Sequence, residues 1–478
     1  MLLQDERVRR SHVRSDFVAL TVFPTLAAVT SLSLTASTAV RPSPGANAVP
    51  PVTPNNPRRV VPGAGRVGRN TVETLLFRGI STPVAFALIV IQSRFLDPDG
   101  RGRFVLVVLT VSILARLFGQ LGVAVTSLAG EDDLRPLVAR ALAWTLVLGV
   151  GGAGFILLAG VAVDAFGLRL AAIAAPALVP NVLNASVSGV LLGRARVRLW
   201  NFIQVVQPLL ALVGMLIVVV GLGGGVDAAI AAWTVSYFLT SAVALIGARD
   251  LWLPPSSARI LDGVGRSIVR LALAMGAVQI VNLIGYRVEL FVLQHFKGLT
   301  AVGVYSIAMQ AAESIWLIPA AIASAVTGPV VHETEEGATR EIRKACGKGL
   351  LYTGVVSAAI GAVAPFLIPW VFGDEFKGAV KPLALLLPGV VAYAPVTILV
   401  VYTTVRRGRP RLSLYVSIIG LAVTAVMSVV LIPPYGASGA AVASAIGYAA
   451  GGLAAWLFFV NLARREAERF PRGRMRPA

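Results

Sequence analysis

The chain has 478 residues, of which 56% are Ala, Val, Ile, Leu, Met, Phe, Trp, Tyr or Cys and only 14% are charged. Its mean hydropathy is +0.79. Soluble domains carry about a quarter charged residues, so this much apolar surface lacks a polar coat, and the composition is that of an integral membrane protein. The 42 Lys+Arg against 23 Asp+Glu leave a net charge of +19. In a soluble protein that excess would point to nucleic acid; here the positions of the charges decide, and no nucleic-acid partner is expected. A single cysteine, Cys346, excludes an intrachain disulfide and a Cys-based zinc site. His12, His295 and His332 have no ligand spacing, so no metal site is expected. No ATP-binding G-x-x-x-x-G-K-[ST] loop occurs, and no cofactor is expected. The GLGGG run from Gly221 lies between apolar segments and reads as a turn.

Residues 1–69 carry Arg7, Arg9, Arg10 and Arg14 ahead of an uncharged, Ser/Thr-rich stretch (17–40) broken by Pro24, then a Pro-rich stretch (41–62). The pattern has signal-peptide features. Cleavage or an added span would each contradict the charge alternation described below, so the segment is expected to be a disordered, non-spanning extension.

A bilayer core about 30 Å thick needs about 20 apolar helical residues. Twelve runs meet that demand: 71–92, 104–128, 141–163, 170–192, 199–222, 228–247, 271–296, 302–326, 350–372, 382–401, 412–432 and 437–460. They are apolar all round, unlike the alternating strands of a barrel. Even-numbered loops and the C-terminal tail hold 23 Lys+Arg, and odd-numbered loops hold 7. Cytoplasmic loops collect these residues, so both ends of the twelve-span unit are expected in the cytoplasm.

The halves repeat. A Gln at the helix end followed by G-x-[FY] recurs in IQSRFLDPDGRGRF from Ile91 and LQHFKGLTAVGVY from Leu293, and AAIA at Ala228 matches AAVA at Ala440. The repeat predicts an all-α polytopic membrane protein with two six-helix lobes around a central cavity. Its divisions would be an extension (1–69), an N-lobe (70–248), a cytoplasmic linker (249–267), a C-lobe (268–463) and a basic tail (464–478).

Five charges fall well inside the predicted spans: Arg78, Arg116, Arg287, Glu289 and Glu313. Each costs at least about 2.5–3.5 kcal/mol at a helix centre and should face protein or water. At 100° per residue they join polar stripes: Thr74, Arg78 and Ser81; Ser112, Arg116 and Gln120; Gln279, Asn282, Tyr286 and Glu289; Ser306, Gln310 and Glu313. Weaker polar faces carry Asn181, Asn184 and Ser188, and Asn201 with Gln204. Arg287 points away from Glu289 on a continuous helix. Arg78 lies close enough to its helix start to snorkel as readily as to line a cavity. Arg116 and Glu313 lie mid-span, where a functional role is favoured over a structural pair between the lobes. Many Asn and Gln residues in spans are interhelical glue.

The elements SRFLDPDGRGRF, AVGVYSIA, PWVFGDEFKGAVKPLALLLPG from Pro369 and LIPPYGASGAAVASAIG from Leu431 resemble polysaccharide (O-antigen type) flippases of the multidrug/oligosaccharidyl-lipid/polysaccharide exporter superfamily, over roughly 71–460. The resemblance implies a non-enzymatic flippase of the bacterial inner membrane that moves undecaprenyl-pyrophosphate-linked oligosaccharide by alternating access. Its partners would be that glycan, membrane lipid and, as further candidates, glycan polymerase and chain-length machinery. Arg78, Arg116 and Arg287 suit a pyrophosphate, and Ser112, Gln120, Asn282 and Gln310 suit hydroxyls. Glu289 and Glu313 suit ion coupling. The alternatives are a cation-coupled multidrug exporter of the same superfamily and a membrane glycan polymerase or ligase.

Overall fold

The computed structural model describes residues 64–128, 134–162, 167–252 and 262–469. Residues 1–63 of the expected extension, most of the linker and the end of the tail lie outside them, as do the side chains of Thr74 and Arg78. Residues 64–69, expected to be disordered, are instead the start of the first helix. The described chain is almost wholly helical. The first half holds α1 (Ala64–Phe118), α2 (Leu121–Leu128), α3 (Arg135–Ala162), α4 (Gly167–Ala174), α5 (Leu178–Gly193), α6 (Val197–Met215) and α7 (Val226–Gly247). The second holds α8 (Gly263–Gly285), α9 (Val288–Ser314), α10 (Leu317–His332), α11 (Glu335–Phe372), α12 (Val380–Val400) and α13 (Pro410–Arg469).

Among the described residues, ten helical segments are long and apolar enough to cross a membrane. The twelve predicted runs fall onto these ten because α1 and α13 each carry two runs across a sharp break, at Asp97 and at Gly436. A third such break, at Gly298 in α9, joins the end of the seventh run to the start of the eighth. Asp97 precedes Pro98, whose ring disfavours the α region for the residue before it. Asp97 adopts φ 57°, and its Oδ1 accepts the Gly100 N–H at 2.7 Å, the local bond that lets Asp tolerate a positive φ. At the equivalent place in the second half, glycine takes the same turn (Gly298, φ 81°). The predicted first loop is therefore a turn at a single residue.

The seventh run is not one continuous helix. It is interrupted at Tyr286 and Arg287, where the Arg287 N–H bonds the Ile284 carbonyl at 3.0 Å, a tight turn that ends α8. The eighth run breaks likewise at Ile315 and Trp316. Arg287 and Glu313 thus sit at helix breaks, where the sequence predicts a continuous helix, and Arg287 and Glu289 still point apart.

Two main cores form. One gathers residues from Leu290 to Leu462 and takes Leu106 and Leu109 from the first half. The other gathers residues from Leu96 to Trp233 and takes Ile268 and Ala272 from the second. The halves meet where the repeated G-x-[FY] elements cross. A Cβ on Gly102 would strike the Leu299 carbonyl oxygen, and a Cβ on Gly303 would strike that of Pro98. The contact is reciprocal, as a pseudo-twofold axis demands, and small residues let the backbones touch. On one flank the halves also meet at Gly276, where a Cβ would strike the Leu117 carbonyl.

Replacing Gly102 by Val should force this seam apart, at the about 1–3 kcal/mol typical of overpacking. The thermal midpoint of the detergent-solubilised protein should fall, whereas Gly79→Ala, with nothing within 4 Å of its Cβ, should leave it unchanged.

Candidate substrate cavity

Between the halves lies a cavity of about 580 Å³, within the about 300–1,000 Å³ range of ligand sites. Helices α1, α5, α6 and α7 of the first half build most of its wall. The second half adds Leu283, Arg287, Leu290, Met309 and Gln310. Among the described residues, two arginines, Arg116 and Arg287, reach the wall, and no Asp or Glu does.

Their environments differ. Arg287 is bidentate to Glu313: Nη2 donates to Oε2 at 2.8 Å and Nη1 to Oε1. Nη1 also reaches the Tyr286 carbonyl at 3.0 Å. The pair staples the break in the seventh run to the end of α9, with 17% and 11% of the two side chains exposed. The alternative pairing of Glu313 with Arg116 across the lobes does not form. Among the described residues Arg116 has no ion pair, and Tyr237 lines the same cavity. An unpaired guanidinium on a cavity wall is a site for an anion.

Ser112 and Gln120, one turn to either side of Arg116, line the cavity with it; the Ser112 hydroxyl donates to the Val108 carbonyl at 2.6 Å, leaving its lone pairs free to accept. Gln310 also lines it. Asn282 does not: it is buried, and its Oδ1 has no partner. Glu289 is fully buried behind the wall, with neither carboxylate oxygen hydrogen-bonded in the structure. The stripe of Gln279, Asn282 and Glu289 therefore faces the interior of the second half and not the cavity between the halves.

One residue escaped the sequence reading. Arg101, counted there among loop charges, is 0% exposed. Its Nε donates to Ser306 Oγ at 2.9 Å, and Nη2 to Gln310 Oε1 at 2.8 Å. Nη1 donates to the Ile89 carbonyl at 3.1 Å and lies 3.4 Å from Gln92 Oε1. Acceptors from both halves thus hold one cation directly beside the Gly102–Gly303 seam. Gln92 and Gln310 line the cavity, so Arg101 seals this end of it. Arg94 adds an outer tie, its Nε donating to the Val371 carbonyl at 2.9 Å. The RGR spacing beside a repeated glycine was the only available signal.

Removing this latch should open the sealed end. In a Ser112→Cys, Cys346→Ala protein, adding Arg101→Leu should raise labelling of position 112 severalfold when an impermeant thiol reagent is applied from the side of the Asp97 turn. An unchanged rate would mean that the glycine contacts alone hold the seam.

Solved structures of this fold are similar over most of their length. An inward-facing multidrug resistance MATE family transporter of the MOP superfamily aligns with a TM-score of 0.66 at 18% identity, over 81% of this chain and 96% of that one. The lipid II flippase MurJ in an inward closed conformation aligns with 0.64 at 14% identity, over 82% and 87%. A MOP superfamily transporter from Pyrococcus furiosus aligns with 0.60 at 18% identity, over 84% and 96%. No curated protein sequence matches the chain significantly. The family model described as polysaccharide biosynthesis protein matches residues 67–335, more than half of the chain, and this multi-pass membrane protein with its arginine-lined cavity belongs to that family.

Proposed function

We propose that the protein is a flippase that moves an undecaprenyl-pyrophosphate-linked oligosaccharide across the bacterial inner membrane. The observation that carries this reading is the sign of the cavity: among the described residues, two arginines on the wall, one without a counter-ion, and no carboxylate. A lipid-linked glycan brings a pyrophosphate for Arg116 and hydroxyls for the amides, while its prenyl tail stays in lipid beside the lobes. A cation-coupled drug exporter would need carboxylates where this wall has none. The family and the MurJ-like fold support the same direction.

The lobes, taken as 70–248 and 268–463, rock about the glycine seam, so that the cavity opens to one side at a time. With both ends of the twelve-span unit cytoplasmic, the Arg101 end faces outward. The ion pair supplies a means of coupling: protonating Glu313 would release Arg287 to join Arg116 on the anion, and its later deprotonation would draw Arg287 back. Buried Glu289 is the second carboxylate on which a proton could ride. Arg78, on the same helix as several wall residues, remains the third arginine proposed for the pyrophosphate.

In proteoliposomes, Arg116→Ala should abolish translocation of a fluorescent lipid-linked oligosaccharide while the protein still inserts and keeps its thermal midpoint. Full transport by this variant would sink the proposal. Glu313→Gln should retain residual transport that no longer responds to a pH gradient.

A further inference from the structure

The cavity wall is chemically lopsided, and the lopsidedness points to a second, neutral half of the ligand. Helices α5, α6 and α7 bring five amides to the cavity, from Asn181 and Asn184 through Asn201 to Gln204 and Gln207, with rings from Trp200, Trp233 and Tyr237 among them. The equivalent interior of the second half is filled. Tyr286, Trp316, Tyr393 and Tyr448 pack ring against ring there, with centroids 5.2 to 5.9 Å apart.

The first-half groups are held in place. Trp233 and Tyr237 meet edge to face at 5.0 Å, and Tyr237 hydrogen-bonds Asn181. Gln207 Nε2 donates to Ser236 Oγ at 3.2 Å, and that hydroxyl donates to the Trp233 carbonyl at 2.6 Å. Asn184 is different. It is only 8% exposed and lines the cavity, yet its Oδ1 has no donor. A buried acceptor left unmade costs its full desolvation penalty, so this oxygen is poised for a donor carried by the ligand.

Planar amides around aromatic rings match one ligand chemistry: a ring with apolar C–H faces and a rim of hydroxyls. We infer that the α5–α6–α7 wall, centred on Asn184, Gln204 and Tyr237, is a carbohydrate subsite that reads the sugar attached to the anion at Arg116. This rests on the flippase reading above. Arg116 and Tyr237 line the same cavity, and a phosphate held at Arg116 presents its linked sugar to the wall that carries Tyr237 and the amides. The first half then holds both charge and sugar, and the plugged second half moves against them.

The test uses the full chain in nanodiscs and two kinds of probe: bare undecaprenyl pyrophosphate, and the same lipid carrying glucose, galactose, N-acetylglucosamine or N-acetylgalactosamine. The wild type should bind at least one sugar-bearing probe about tenfold more tightly than the bare lipid, the worth of one or two hydrogen bonds. Asn184→Ala and Gln204→Ala should each erase most of that preference while keeping affinity for the bare lipid, which also certifies their folding. Arg116→Ala should weaken every probe. A wild type that binds the bare lipid through Arg116 but prefers none of the four sugars overturns the subsite and leaves the flippase reading standing. Variants that keep the preference overturn it too. A wild type that binds neither kind of probe overturns the flippase reading itself.

Discussion

The fold depends on one buried cation. Arg101 sits beside the seam where the halves touch through Gly102 and Gly303, and it has no carboxylate partner. A buried charge is tolerable only if its donors are satisfied, and here neutral acceptors from both halves satisfy them: Ser306 and Gln310 on one side, the Ile89 carbonyl and Gln92 on the other. A carboxylate across the seam would hold the closed state harder. Neutral acceptors balance desolvation without a strong Coulomb term, so under the rocking motion proposed above the seam could open without separating an ion pair. Arg287 with Glu313 and Arg406 with Glu335 are ion pairs within the second half, and Arg196 with Asp250 is one within the first. One ion pair does cross: Arg140 on α3 reaches Asp262, the N-cap of α8, and ties the first half to the start of the second.

The second consequence of the repeat is its broken chemistry. Both halves fold alike, as the matched breaks at Asp97 and Gly298 attest, but they fill their interiors differently. The first keeps amides and an unpaired arginine around open volume. The second packs four aromatic rings and the Arg287–Glu313 pair where volume would otherwise remain. Equal backbones therefore give one receiving half and one rigid half.

Much of this was legible in the sequence. Twelve apolar runs, the repeat and the mid-span arginines follow from length and periodicity, and Ser112, Arg116, Gln120 and Gln310 do reach the cavity. Two assumptions do not hold. The periodicity already points Arg287 away from Glu289, but it reads the stripe of Gln279, Asn282 and Glu289 as a cavity wall, and a polar face can turn into its own lobe as readily as towards a shared cavity. Loop-charge counting assumes that a charge near a span end meets water, and a turn at one residue leaves no loop for Arg101 to occupy. The G-x-[FY] repeat was visible, but its reason, two carbonyls pressed against two glycines, is a property of the assembled seam.

The net charge of +19 separates into topology and chemistry on the same grounds. Most of the excess stands in loops, where it sets orientation. The cavity uses very little of it, and among the described residues Arg116 is the wall arginine without an ion pair, while Arg287 already has its counter-ion in Glu313. Under the flippase reading proposed above, a return without cargo would carry the Arg116 guanidinium through a low-dielectric path at a cost that an anionic cargo would remove, and that asymmetry would favour crossing when loaded.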